Sequence, residues 1–139
     1  MKEVLERIAR VEGWGFDYGR RDFHNLDLEN DKTFTLFLDP VEEQIFFEGN
    51  VVRNRIYKGR CMLLMCSEYD RVYDGQVGNA ITEGRYERYI RRCKEEVMKI
   101  PKSFCYDYEI QQWRMVEVIN LYDDNYDGVL VEFQIATVL

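Results

Sequence analysis

The run Asp123-Asp124-Asn125-Tyr126-Asp127-Gly128 comes nearest to a metal-binding pattern in this chain. Asp123, Asn125 and Asp127 stand at the first, third and fifth ligand positions of a calcium loop, with Gly128 at the sixth. That loop needs a bidentate Glu at its twelfth position, where this chain has Gln134. It also needs helical flanks, and both flanks here read as strands. Asp, Asn and Gly equally supply the left-handed backbone angles of a tight turn. Asp123, Asn125, Asp127 and Gly128 are therefore expected to form a turn, with no metal.

The single histidine, His24, sits in Asp22-Phe23-His24-Asn25. A general base needs a nucleophile or a substrate proton within reach, and no G-x-S-x-G, P-loop or G-x-G-x-x-G accompanies it. His24 reads as an exposed loop residue. Cys61, Cys66, Cys93 and Cys105 form no C-x-x-C pair, and His24 has no cysteine near it in sequence. Cys61 and Cys66 flank Met-Leu-Leu-Met, the setting of buried free thiols rather than of zinc. No catalytic residue and no cofactor is expected, and the chain reads as a non-enzyme.

A stronger signal lies in the charge pattern. Arg53, Arg55, Lys58 and Arg60 give residues 51–60 a charge of +4, with no acid among them. Residues 22–50 hold eight acids against one lysine, and residues 103–139 hold seven acids against one arginine. Residues 83–102 are again basic, with seven bases against four acids. Signed blocks of this kind suit a subunit whose neighbour presents the opposite sign, as in a head-to-tail ring. They also suit a solvated strand edge protected by charge. Ten tyrosines add side chains that bury area while keeping a polar handle, as interfaces favour. The expected contact residues are Arg53, Arg55, Tyr57, Lys58 and Arg60 on one segment, Arg21 and Tyr73 in two loops, and Arg88 and Arg92 on a helix.

The elements that must position these residues follow from periodicity. Val4, Leu5, Ile8 and Val11 recur at helical spacing over residues 2–12, and Gly13 and Gly15 end that helix. Residues 16–32 read as a long polar loop. Thr33–Leu38 reads as a strand. Gln44–Phe47 and Val51–Tyr57 read as a hairpin across Glu48-Gly49-Asn50, part of an arm over residues 43–60. Lys58-Gly59 is a turn candidate leading to a strand at Arg60–Ser67, whose apolar run implies cover on both faces. Residues 68–80 form a second loop. A helix is expected from Thr82 to Ile100, capped by Thr82 and stopped by Pro101. Trp113–Tyr122 and Gly128–Thr137 read as a closing hairpin. The expected fold is α+β, with two helices on an antiparallel sheet of five to six strands in the order α-β-β-β-(β)-α-β-β.

Length and composition fit this plan. The chain has 139 residues, enough for one domain that buries about 70% of its extended surface without staples. It is 46% hydrophobic and 32% charged, unlike a disordered tail. A net charge of −7 argues against a general nucleic-acid binder, because phosphate contacts need positive surface. No apolar run reaches the length of a membrane span, and the charged N-terminus lacks the apolar core of a signal peptide.

Two segments carry a family likeness. The opening Lys2-Glu3-Val4-Leu5-Glu6-Arg7-Ile8-Ala9, followed by Gly13-Trp14-Gly15-Phe16-Asp17-Tyr18-Gly19, resembles small phage and prophage proteins of gut Bacteroidales. The ending, Glu109-Ile110-Gln111-Gln112-Trp113, then Val116 to Tyr122 and Asp127 to Val131, is similar to the same group. These are small virion proteins, including those of crAss-like phages. The element order also resembles tail-terminator and tail-completion proteins. The resemblance implies a single tail-terminator-like domain that forms a closed six- or twelve-fold ring in the virion neck. It would contact portal and tail proteins and pass DNA non-specifically through an acid-lined lumen, with no membrane. The arm and the loops at 16–32 and 68–80 would make the contacts between rings. Two rival readings are a small acidic inhibitor or immunity-type protein that captures a basic enzyme, and a carboxylate hydrolase using Asp123 or Asp127.

Overall fold

The computed structural model describes residues 1–19, 32–66, 84–121 and 126–138, with backbone alone at 120 and 121. Arg21, His24, Tyr73, Thr82, Asp123 and Asn125 lie outside the described residues, as does most of the two expected loops.

Helix α1, Lys2–Glu12, forms where its periodicity predicts and buries Leu5, Ile8 and Ala9. It ends because Gly13 adopts a left-handed conformation, φ 76°. The Gly13 N–H then donates to the Arg10 carbonyl and the Trp14 N–H to the Ala9 carbonyl, satisfying the last turn.

Six strands follow in one sheet: β1 (Gly15–Tyr18), β2 (Thr35–Leu38), β3 (Glu42–Glu48), β4 (Val51–Cys66), β5 (Tyr108–Leu121) and β6 (Tyr126–Thr137). The order across the sheet is β1-β2-β4-β6-β5, with β3 also paired to β4. Thus β2 and β3 share one edge of β4: β2 takes Cys61 to Leu64 and β3 takes Val51 to Lys58. The sheet is antiparallel except for β1 against β2. The parallel pair corrects the reading of residues 16–18 as loop. Four residues are too few for alternation to show, and their partner lies well down the chain.

Lys58-Gly59 is not a turn. β4 runs unbroken for 16 residues, and Gly59 sits opposite Phe133. A Cβ on Gly59 would come 3.0 Å from the Phe133 ring and 3.2 Å from Val41. Gly59 thus leaves room for an aromatic ring to lie across the strand. The Asp127-Gly128 turn is corrected in the same sense, since both residues belong to β6. A Cβ on Gly128 would meet the Leu63 carbonyl oxygen at 2.1 Å, so the glycine is there for close approach of two strands.

The second helical segment has three parts. A π-helical turn at Tyr86–Ile90 runs into α2, Arg91–Val97, and after a break at Met98 into α3, Lys99–Ser103. Pro101 stands at the third position of α3, where its missing N–H has no intrahelical role. The chain therefore continues helically past the expected stop at Pro101. The segment and α1 cover one face of the sheet. Cys61, Leu63, Met65, Val129, Val131, Phe133 and Ile135 meet Leu5, Ile8, Tyr89, Cys93, Val97 and Ile100 there. Phe37, Met62, Leu64 and Leu130 form a smaller buried cluster on the opposite face. β4 is thus buried on both faces at residues 61–65, as its apolar run implies.

Candidate functional site

The feature most out of keeping with a self-contained domain is the β3–β4 hairpin. Its register runs from Glu42 opposite Lys58 to Glu48 opposite Val51, turning at Gly49, φ 64°. β6 reaches β4 only from Ile56 onward. The tip, residues 45–55, is therefore a two-stranded ribbon that leaves the sheet. A shift between Phe46 and Phe47 leaves Arg53 as the extra residue of a bulge.

The ribbon is apolar on both faces. Ile45 and Phe47 project to one side and Phe46 to the other. Every residue of β3 is exposed. Phe47 is 58% exposed, Val51 70% and Val52 41%, and Ile45 and Phe46 are exposed with them. Isolated two-stranded ribbons are marginal in water, and contiguous exposed apolar side chains mark interaction sites. The sequence marks this arm by its hairpin pattern and its basic residues, and these five apolar residues are not among the expected contacts. The signal that could have found them is the unalternating run Ile45-Phe46-Phe47 facing Val51-Val52.

The structure also separates the basic residues expected to seek a partner. Arg53 and Lys58 are exposed and make no ion pair with the described residues. Arg55 bonds Glu43 across the ribbon at 3.5 Å, and its backbone N–H donates to Thr137 Oγ1 at 2.9 Å. Arg60 reaches Asp39 at 3.4 Å. Tyr57 is only 8% exposed and its hydroxyl pKa is raised, chiefly by burial. It is a packing residue of the arm's base, which corrects its place among the contact residues.

On the second helical segment, Arg88 and Arg92 are exposed, and the Arg92 guanidinium lies 5.5 Å from the Phe34 ring centroid. Arg91 pairs with Glu87 at 2.6 Å, Lys94 with Glu117, and Lys99 with Glu96 at 2.8 Å and Glu12 at 3.4 Å. The basic block at 83–102 is thus largely neutralised within the chain. This removes most of the expected demand for an acidic neighbour.

Asp127 has a different role from a turn. It is fully buried, and the equally buried Arg85 donates to both its oxygens, at 2.6 and 3.2 Å. The bidentate pair pins the start of the second helical segment to β6. A cleft of about 360 Å³ between α1 and α2 is lined by Trp14, Phe34, Arg92, Glu96 and Lys99. Its charges serve one another: Trp14 Nε1 donates to Glu96 at 3.1 Å, and Lys99 bonds both Glu12 and Glu96. Among the described residues no group of three or more His, Cys, Asp or Glu could hold a metal ion. None of the helices among them is long and apolar enough to cross a membrane.

The chain matches no known protein-family model, and no curated protein is significantly similar to it.

Proposed function

We propose that this chain is a structural subunit of a phage virion, closing into a ring of six or twelve copies in the neck, head-tail connector or tail terminator. The projecting hairpin with its exposed Ile45, Phe46, Phe47, Val51 and Val52 carries the proposal. These five apolar side chains stand together in water on a ribbon that leaves the sheet, as the side chains of an interaction surface do. The likeness of both chain ends to small virion proteins supports the phage assignment, and the α+β plan suits a tail-terminator-like domain. In this reading the protein acts by assembly rather than catalysis. Its partners are further copies of itself together with portal and tail proteins, and DNA touches only an acidic lumen.

Two measurements test this. Light scattering on the purified protein, alone and mixed with portal and tail proteins of the same phage, should show closed oligomers or complexes. Mass spectrometry of purified virions should find the chain. A persistent monomer that binds neither partner and is missing from virions would sink the proposal. One-to-one capture of a basic nuclease would replace it with the inhibitor reading.

A further inference from the structure

We infer that the arm of one copy adds as a strand to the free edge of β5 in the next copy, so that one sheet continues through the oligomer. The inference rests on the ring reading above and names the contact that builds the ring.

The arm needs a receiving surface, and of the two strands that end the sheet among the described residues, β1 has four residues and β5 fourteen. Outside the arm, the exposed large apolar side chains are scattered except on β5, where Met115, Val116 and Ile119 lie together. Among the described residues β5 pairs with β6 alone, so its other edge has no strand beside it. Such an edge presents a row of backbone donors and acceptors to any strand of suitable length. β3 has seven residues, and residues 113–119 of β5 match that length.

The distribution of the apolar groups separates strand addition from face-to-face stacking. Met115 sits opposite Val131, on the helix-covered side, and Val116 sits opposite Leu130, on the other side. The arm likewise divides its apolar side chains between its two faces. Stacking would call for one apolar face on each partner. Lateral addition calls for apolar neighbours above and below the shared edge, which is what both strands carry.

Topology agrees. β3 pairs with β4 on the side away from β6, while β5 lies beyond β6, so the arm and the receiving edge stand on opposite sides of the sheet. A contact between two different surfaces is heterologous, and repeated it builds a ring or a filament rather than a two-fold dimer. Arg53 on the arm and Glu109 on β5 are both exposed and make no ion pair with the described residues, so a neighbour can supply the opposite charge to each.

Two defective copies test this by complementation. Phe47→Asp breaks the arm and leaves β5 intact. Val116→Asp with Ile119→Asp breaks β5 and leaves the arm intact. Each alone should run as a monomer by light scattering with an unchanged melting temperature. Mixed in equal amounts they should form a one-to-one dimer and nothing larger, because only one of the two junctions is whole. If wild-type protein assembles and the β5 variant assembles equally well, or if the mixture stays monomeric, strand addition at β5 is wrong while the ring reading stands. A wild type that stays monomeric overturns strand addition, and the ring reading falls with it only if the chain also binds no portal or tail protein and is missing from virions. Should the double change lower the melting temperature, Ile119→Lys alone, at a position 54% exposed, carries the same expectations.

Discussion

Cys61 and Cys93 are thiols that the fold keeps protonated. Burial, reinforced by the Asp39 carboxylate, pushes Cys61 up to about 12; burial does the same for Cys93, with Arg92 opposing it and Asp127 and Glu96 adding to it. Because the folded pKa lies above the unfolded value of 9.0, this contribution is intact below pH 9 and is lost as pH rises through 12. Each thiol should lower stability by about 1.4 kcal/mol per pH unit across that window. Urea unfolding between pH 8 and 11 should show the fall, and Cys61→Ala should make it shallower. In native protein a thiol reagent should label Cys66 and Cys105, which are exposed, and reach Cys61 and Cys93 only on unfolding. The Arg85–Asp127 pair has a larger single-site consequence. Arg85→Met leaves a carboxylate buried without its cation and should cost about 3–5 kcal/mol in chemical denaturation, while adding Asp127→Leu should recover much of it. Buried thiols were legible in the sequence because apolar residues flank Cys61 and Cys66, although Cys66 proves exposed. The role of Asp127 was not, because Asp-Gly describes a turn equally well and its arginine stands 42 positions earlier.

The elements show where local pattern suffices. α1 is readable because its apolar stripe and its terminal glycine agree, and the β5–β6 pair because β6 alternates clearly. β1 escaped notice, and β4 was divided in two, because a glycine inside a strand looks like a stop until its cross-strand neighbour is known. Gly59 and Gly128 should therefore respond differently to alanine. At Gly59 the obstacle is the end of the Phe133 ring and a Val41 methyl, which can give a little, so Gly59→Ala should cost about 1 kcal/mol. At Gly128 the obstacle is the Leu63 backbone, which cannot give without parting β4 from β6. Gly128→Ala should cost at least about 3 kcal/mol, the upper end of the overpacking range. Thermal melting of both variants checks the ranking.

At the scale of the whole molecule, the α+β plan was legible and the state of the charges was not. Signed blocks along a chain say nothing of which side chains the fold will bring together, and the helix bases find their acids at home. Among the described residues, the largest group of exposed apolar side chains sits on the arm. Replacing residues 45–55 by Asn-Gly, so that Gln44 and Ile56 close a two-residue turn, should leave the melting temperature within a few degrees and abolish assembly, as scattering would show. The arm is also no appended loop. One of its strands is the outer part of β4, whose inner part pairs with β6 from Ile56 to Cys66. A neighbour that tugs on the arm along its length therefore loads those hydrogen bonds together, in shear, instead of peeling them one at a time. Tension applied to the arm would thus pass straight into the central strand.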